Sequence, residues 1–154
     1  MTETEFRFKH SELIEYYQLI EMRLRGICAD LCVDKARDWF DRYNDYESDS
    51  FGLLIRKTKE IQAQKQINLL SQDDFVELEC LRKTRNYWAH ECFGGSIPIV
   101  FNREGELKRS IYAEKIASDL NDAIRWDEKL TKFINSLKGD VTFPLAKQFQ
   151  SQDF

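Results

Sequence analysis

The sequence predicts an all-α fold, a compact bundle of about five helices with one small β-hairpin-like excursion near 97–108. Apolar residues recur at spacings of three and four along most of the chain, as they do on one face of an α-helix. Helix breakers are scarce, because the chain has two prolines and only one adjacent glycine pair, Gly94-Gly95. Charged residues make up 32% of the chain, which favours helices over a many-turned β-sandwich.

The chain has the size of a single domain. Its 154 residues are 42% hydrophobic and 13% aromatic, which is enough apolar material for one core. We expect a helical domain over 1–139 and a C-terminal tail over 140–154. The tail is expected to dock only loosely, because its few apolar residues are scattered among polar ones.

Apolar periodicity places three helices in the first half of the chain. The first covers 11–31, with Ser11 as its N-cap, because a serine hydroxyl can accept from a free backbone N–H at a helix start. The second covers 34–46 and is followed by a polar, turn-like segment. The third covers 51–62, and the residues from there to Leu70 are compatible with a loop or with a continuation of the helix.

The second half of the chain predicts two longer helices on either side of the excursion. The sequence SQDD at 71–74 marks a helix start, since a capping serine and acids in the first turn suit the positive end of a helix. This fourth helix is predicted to end at the glycines of 93–95. β-prone residues and a turn at 102–105 predict the excursion. The last helix then covers 110–137 and is stopped by Gly139.

Charge and hydropathy limit the classes of partner. The formal net charge of −4 and the pI of about 5.3 argue against binding long nucleic acid through bulk charge, but they leave room for a local basic site. No apolar run is long enough to span a membrane, and the N-terminus lacks the pattern of a signal peptide. We therefore expect a cytoplasmic protein that does not enter membranes.

The four cysteines are expected to be reduced thiols and not metal ligands. Cys28 and Cys32 are four residues apart and share a helix face, but there is no close CxxC pair, and His10 is remote in sequence. In a reducing compartment such cysteines usually remain buried thiols. The sequence therefore predicts no metal and no cofactor.

One short segment near the end of the fourth helix carries residue types suited to chemistry, the sequence RKTRNYWAH at 82–90. RNA cleavage without a metal needs a group that takes or gives protons near neutral pH, and histidine is the side chain with that property. His90 is the histidine of this segment. Arg85 could hold a phosphate through paired charged hydrogen bonds, and the Asn86 amide could orient a phosphate or a hydroxyl.

The spacing of these residues permits such a site without being diagnostic of it. On an ideal helix Asn86 and His90 share a face, whereas Arg85 and His90 lie roughly 140° apart around the axis. The segment also holds a single histidine, although acid–base cleavage benefits from two proton-transfer groups. A two-fold homodimer that brings two copies of this helix together would supply the second group.

The segment resembles the Arg-(four to six residues)-His motif of HEPN domains, in the form with a polar residue directly after the arginine. The order of elements is similar as well. A helix with the sequence FGLLI at 51–55 and a helix start with the sequence SQDDF at 71–75 precede the motif, and a long helix follows it. The resemblance covers most of the chain as an order of helices, and about a dozen residues as a motif.

The resemblance implies a helical homodimer that cleaves RNA without a metal and leaves 2′,3′-cyclic phosphate ends. Many HEPN domains are ribonucleases of toxin–antitoxin, abortive-infection and other antiviral systems, so the implied partners are RNA, a second copy of the chain and an antitoxin protein. Arg85 and His90 are implied to be catalytic at the dimer cleft, with Asn86 as a polar helper. Cys92 stands where members regulated by a nucleotidyltransferase antitoxin often carry a tyrosine, which departs from that mode of regulation.

Other interpretations of the same residues stay open. A histidine at a helix end is often only a capping group, favoured there by the helix dipole. Arg82 and Lys83 could bind RNA, or they could belong to an ordinary solvated helix face. Tyr87 and Trp88 are expected in the core or in an interface, and not as platforms for base stacking.

Two further classes of function compete with the ribonuclease. One is a catalytically silent HEPN-like module that binds RNA, a nucleotide or a protein partner. The other is a structural dimer whose motif results only from helix capping. The first helix also carries Glu12, Glu15 and Glu21, and the sequence does not decide which of these acids faces the motif.

Overall fold

The computed structural model describes residues 1–32, 36–94 and 99–138, and the fold is all-α, as the sequence predicts. The predicted tail over 140–154 and the predicted stop at Gly139 lie outside these ranges. None of the described helices is long and apolar enough to cross a bilayer. The elements in chain order are α1 (Glu3–Leu31), α2 (Trp39–Asn44), α3 (Phe51–Gln64), α4 (Gln72–Asn86), a π-helical turn (Tyr87–Glu91) that we call the π turn, and α5 (Ile111–Lys138).

Helix α1 starts more than two turns ahead of the predicted start, because its N-cap is Thr2 and not Ser11. The Thr2 hydroxyl accepts from the Glu5 backbone N–H at 3.2 Å, and the Glu5 carboxylate accepts from the Thr2 backbone N–H at 2.8 Å. Ser11 lies inside the helix, where its hydroxyl donates to the Arg7 carbonyl. The prediction for Ser11 was wrong because Phe6 is fully buried and extends the apolar face toward the N-terminus.

Helices α2 and α3 follow the predicted order with shifted ends. α2 is only six residues long, and residues 33–35, which hold the predicted start, lie outside the described ranges. α3 starts at Phe51 as predicted, with the Ser50 hydroxyl accepting from the Leu53 N–H at 3.3 Å. The segment after α3 is a loop, and it is closed from α3 by the Gln62 side chain, which donates to the Leu70 carbonyl at 2.7 Å and accepts from the Leu70 N–H at 2.8 Å.

Helix α4 begins where predicted and ends differently. The Asp74 N–H donates to the Ser71 hydroxyl at 3.1 Å, and the Ser71 N–H donates to the Asp74 carboxylate at 2.9 Å. These reciprocal bonds form a capping box. Regular α-helical bonding stops at Asn86, well before Gly94, and the chain continues in the π turn. Helical bonding therefore continues to Glu91, close to the predicted end at 93–95, and the prediction missed only the change from α- to π-helical bonding, because apolar spacing alone does not distinguish a widened turn from a regular one.

The excursion before α5 is small. Phe101 and Leu107 form an isolated antiparallel bridge around a turn at Gly105, and a second bridge joins Glu106 to the start of the chain. Gly105 has a φ of 75°, a left-handed conformation that glycine adopts without steric cost. The hairpin-like prediction is confirmed in this reduced form for the described part of the segment, which excludes 95–98.

Helices α1 and α5 run in the same direction along most of their length. Close to the start of both helices, the Glu3 N–H donates to the Gly105 carbonyl at 2.7 Å. Further along, the Arg23 guanidinium donates to the Asp127 carboxylate at 3.2 Å. Contacts at both levels keep the two long helices in register, so α1 forms the centre of the bundle and also contacts α3.

Helix α4 is antiparallel to α5. Asp74 at the start of α4 bonds Lys129 late in α5, and Trp88 just beyond the end of α4 bonds Asp119 in the first half of α5. α3 packs against both α1 and α4. The buried residues of all four long helices form one hydrophobic core, which includes Phe6, Leu13, Ile20, Leu24, Ile27, Leu54, Leu78, Ile116, Trp126 and Leu130.

Candidate functional site

The predicted motif lies where α4 passes into the π turn. Arg85 and Asn86 end α4, and His90 lies on the π turn itself. The Cys92 N–H donates to the Tyr87 carbonyl, five residues back, at 3.0 Å. A turn closed by such bonds is wider than an α-helical turn, which closes four residues back. A wider turn advances by a smaller angle per residue. The angle between Arg85 and His90 around the helix axis is therefore smaller than the roughly 140° expected on a regular α-helix.

Arg85 is oriented by a buried acid on α1. Its Nη2 lies 3.2 Å from Oε1 of Glu21, at ion-pair distance but without the alignment of a hydrogen bond. Its Nη1 donates to the Asn86 side-chain carbonyl at 3.3 Å. Glu21 also lies 3.6 Å from Arg25, so one carboxylate faces two guanidinium groups. The Arg85 side chain stays 30% exposed, and a guanidinium has five N–H donors, so this arrangement fixes Arg85 while leaving donors for an anion.

His90 is exposed, and no hydrogen bond or ion pair joins its ring to any described residue. The structure thus brings Arg85 and Asn86 into contact, whereas the described residues show no hydrogen bond from His90 to either of them, and the His90 ring stays accessible on the π turn. A capping role would place the ring on one of the open carbonyl groups at the helix end, and the described residues show no such bond. An accessible imidazole is what a substrate would need for proton transfer.

The two predicted RNA-binding residues face different surroundings. The Arg82 Nε donates to the Glu79 carboxylate at 2.8 Å. The Arg82 side chain also crosses α3 so closely that a Cβ added at Gly52 would stand 3.0 Å from its Cδ. Lys83 is exposed. Arg82 is therefore partly neutralised and packed, and Lys83 is the more accessible cation of the two.

Trp88 anchors the π turn in the core. Its side chain is 1% exposed, and its indole N–H donates to the Asp119 carboxylate at 2.7 Å. Asp119 also accepts from the Lys115 ammonium at 2.9 Å, and that ammonium lies 5.4 Å from the centre of the Tyr87 ring. The expected core position is confirmed for Trp88, whereas Tyr87 is only partly buried beside it. The turn is therefore held from α5.

A second histidine holds the same turn from α1. Nε2 of His10 lies 2.8 Å from the Trp88 carbonyl oxygen, and a carbonyl only accepts, so Nε2 carries the hydrogen. The Cys92 thiol donates to the same oxygen at 3.2 Å, and burial raises the pKa of this thiol above its ordinary value. Two side chains thus satisfy the Trp88 carbonyl within the widened turn.

Sequence reasoning did not assign Glu21 and His10 to the site. Glu21 was one of three undecided acids, and its signal was position. It falls on the apolar face between Tyr17 and Leu24, where a charged residue usually has a partner. His10 offered no signal of this kind, because its bonding partner lies 78 residues away in the sequence.

The cysteines are unbridged, and the described part of the chain holds no group of three or more His, Cys, Asp or Glu side chains arranged to bind a metal ion. The Cys28 thiol lies 3.4 Å from the Thr58 hydroxyl inside the core. Burial raises the pKa of Cys28 to about 11, so this thiol stays protonated at neutral pH.

Comparison with known proteins adds no family to this picture. No protein-family model matches the chain, and no curated protein or solved structure matches it either. The candidate site therefore depends on its own geometry, formed by Arg85, Asn86 and His90 with their supports from α1 and α5.

Proposed function

We propose that the chain is a metal-independent endoribonuclease of the HEPN type, acting in the cytoplasm as an effector of a toxin–antitoxin or phage-defence system. The observation that carries this proposal is the π turn, which leaves His90 exposed on the segment that also holds an oriented Arg85. Short π-helical segments are frequent at functional sites. The residue types at this turn are those that cleavage of RNA by its own 2′-hydroxyl requires.

In the proposed reaction the 2′-hydroxyl attacks the adjacent phosphate and the 5′-oxygen leaves. The His90 imidazole takes the proton of the attacking hydroxyl or gives one to the leaving oxygen. Arg85 donates to the phosphate oxygens and stabilises the charge that develops on them. Asn86 bonds Arg85 and orients it toward the phosphate. The products are a 2′,3′-cyclic phosphate and a 5′-hydroxyl.

Glu21 has the place of a positioning residue in this proposal. Its carboxylate lies at ion-pair distance from the Arg85 guanidinium, whose five N–H donors exceed what Glu21 and Asn86 use, so donors remain for a phosphate. Fixing a long side chain before the phosphate arrives lowers the entropy lost on binding. Lys83 would add a local cation for RNA, which a chain of net charge −4 needs close to its site.

The proposal includes a homodimer, because one copy of the site exposes one histidine in this segment. A two-fold axis near the π turn would place two Arg85/His90 pairs in one cleft and provide both an acid and a base. An antitoxin protein would then act by covering the cleft or by separating the two copies.

The second candidate function is a catalytically silent HEPN-like module that binds RNA, a nucleotide or a protein partner. The observation that favours it is charge pairing, since Arg85 contacts Glu21 and Arg82 contacts Glu79. Two of the segment's cations are thus partly neutralised before any phosphate arrives. A module of this kind would still present Lys83 and His90 to a partner.

The test is cleavage of total RNA and of tRNA by the purified chain in EDTA, with analysis of the product ends. We expect cleavage with 2′,3′-cyclic phosphate ends, lost in His90→Ala and in Arg85→Ala while the helical circular dichroism signal is retained. Cleavage that persists in both variants would exclude this site. A wild-type chain that forms a dimer and retains a bound partner without cleaving any RNA would favour the silent module.

A further inference from the structure

A cavity of about 310 Å³ lies between α4 and α5, and its lining includes Thr84, the residue before Arg85. The side chain of Tyr17, which comes from α1, forms its floor. Val76 and Glu77 line one wall, and Asp119 and Asp122 line the other. Its volume is at the lower end of the range for small-molecule pockets, which is roughly 300–1,000 Å³. The cavity is therefore large enough for a small ligand.

The floor of the cavity holds a polar group that lacks a protein partner. Tyr17 is 1% exposed, and no described residue forms a hydrogen bond with its hydroxyl. Burial, together with the charges of Asp119 and Asp122, raises the pKa of Tyr17 far above its ordinary range, so the phenol stays neutral. A buried hydroxyl without a partner is unfavourable, and such groups in native proteins call for an explanation.

The cavity is also acidic. Three carboxylates line it, those of Glu77, Asp119 and Asp122, against the single guanidinium of Arg125. Lys115 bonds Asp119 from outside the lining, so three negative charges face two positive ones. One carboxylate is therefore left in excess, and Asp122 at the mouth stays 54% exposed. This balance favours a cation over an anion.

Apolar side chains complete the lining and indicate a ligand with an apolar body. Trp126 is fully buried and Leu81 nearly so, whereas Val76 is 55% exposed although it is a large apolar residue. Val76 stands at the open side of the cavity, where a ligand would cover it. A site with apolar walls and a few convergent polar groups is the usual form of a small-molecule pocket.

We propose that the cavity between α4 and α5 binds a small aliphatic primary amine. The ammonium group donates to the Asp119 and Asp122 carboxylates and to the Tyr17 hydroxyl oxygen, which matches its three N–H donors with three acceptors. The alkyl chain packs against Val76 and Leu81. This binding site shares Asp119 with the support of the π turn. Amine binding and RNA cleavage are nevertheless separate activities, and neither proposal needs the other.

The test uses the full chain with n-butylamine, and with 1-butanol and butyrate as neutral and anionic controls of similar length. Calorimetric titration is expected to show saturable binding of the amine with a Kd on the order of 1 mM, a realistic affinity for so small a ligand. The amine should also raise Tm, since it binds the folded state alone. Equal binding of 1-butanol, or no saturation with the amine at about twenty times that concentration, would overturn the proposal.

Three variants separate this site from general charge effects. Asp122→Asn and Tyr17→Phe are each expected to weaken amine binding about fivefold, because the first removes the negative charge that attracts the ammonium and the second removes the hydroxyl acceptor. Glu128→Gln is the matched control, since it removes an exposed acid on the same helix that does not line the cavity, and its affinity should equal that of the wild type. Equal weakening in all three variants, or none in the first two, would show that the cavity does not hold the ammonium.

Discussion

The two ends of α4 are held in different ways. At the start, Ser71 and Asp74 satisfy each other's backbone groups across three residues, and Lys129 bonds the same carboxylate. At the far end, the helix widens into the π turn and is held by His10 and Asp119, whose bonds to Trp88 span 78 and 31 residues of sequence. One end is closed by its own neighbours, and the other depends on two distant helices.

This difference separates a structural end from a candidate functional one. A local capping box fixes a helix start whatever the rest of the chain does. A π turn has fewer favourable local bonds and persists where tertiary contacts compensate for it. Those contacts bury Trp88 and hold the turn, so Arg85 and His90 need not support the fold at this point. Variants at the two ends should therefore affect different quantities.

The largest expected effect is on cleavage at the π-turn end. Replacing His90 with alanine should lower RNA cleavage by about 100-fold or more, the usual contribution of a general acid or base, while Tm stays unchanged. The side chain is exposed and unbonded among the described residues, so the fold loses nothing. Glu91→Ala, an exposed neighbour on the same turn, is the matched control and should cleave normally. Equal loss in both variants would mean that the turn, and not the imidazole, was disturbed.

The second-largest expected effect is a loss of stability when the hydrogen bond from α5 to the π turn is removed. Asp119→Ala should lower the free energy of unfolding by about 2–3 kcal/mol, because it leaves a buried indole N–H without its charged acceptor. Urea denaturation measures this change. Asp122→Ala is the comparison, since this acid is 54% exposed and its one ion pair among the described residues is with the Arg125 guanidinium at 3.5 Å. It should change stability by less than about 0.5 kcal/mol. Similar losses in the two variants would contradict the role given to Asp119.

A smaller loss of stability is expected when the hydrogen bond from α1 to the π turn is removed. His10→Ala should lower the free energy of unfolding by about 1–2 kcal/mol, because the Trp88 carbonyl then retains only the weak Cys92 thiol donor. His10→Gln keeps an N–H donor of similar reach and should recover part of the loss. Amide hydrogen exchange on the residues of the π turn should be faster in the alanine variant. Unchanged exchange would show that this bond does not hold the turn.

The smallest expected effect is a loss of stability at the start of α4, which the capping box closes. Burial alone would raise the pKa of Asp74, but bonds from Lys129 and Ser71 outweigh burial and keep this pKa below its ordinary value of 3.8. The carboxylate therefore adds its full stability above pH 3.8 and loses it as the pH falls through the lowered pKa. Asp74→Asn should cost about 1 kcal/mol at pH 7.

Acid denaturation measures the pH dependence of this contribution. The difference in stability between the wild type and Asp74→Asn should shrink as the pH falls below 3.8. Asp73→Asn, at an exposed acid of the same turn, should show almost no difference at any pH. A difference in stability between the wild type and Asp74→Asn that stays constant down to strong acid would contradict the bonds assigned to the Asp74 carboxylate.

Elements marked by local chemistry were predicted well. The α4 start at Ser71 was found because its capping group and first-turn acids act within three residues, and the α3 start at Phe51 was found because apolar periodicity begins there after a polar, turn-like segment. The α1 start was missed, since Ser11 resembles a cap and only the burial of Phe6 shows that the helix begins earlier. Capping residues are common inside helices, so a cap is recognised only with its surroundings.

The sequence proposes the residues of the candidate site, and only the structure gives their geometry. Arg85, Asn86 and His90 follow from residue type and from the motif. The contact of Arg85 with Glu21 does not follow from them, because the two lie far apart in sequence and meet only when α4 packs beside α1. The role of His10 was missed for the same reason, although the residue itself was visible in the sequence.

By itself the sequence determined the helical class, the order of the helices and the segment that carries the candidate chemistry. These depend on periodicity, capping and residue type, which act over one or two turns of chain. Only the tertiary structure decided that α4 widens into a π turn, that Glu21 faces Arg85 and that Tyr17 forms the floor of an acidic cavity. Each of these requires residues from separate helices to meet, and their free energy depends on packing that no local pattern encodes.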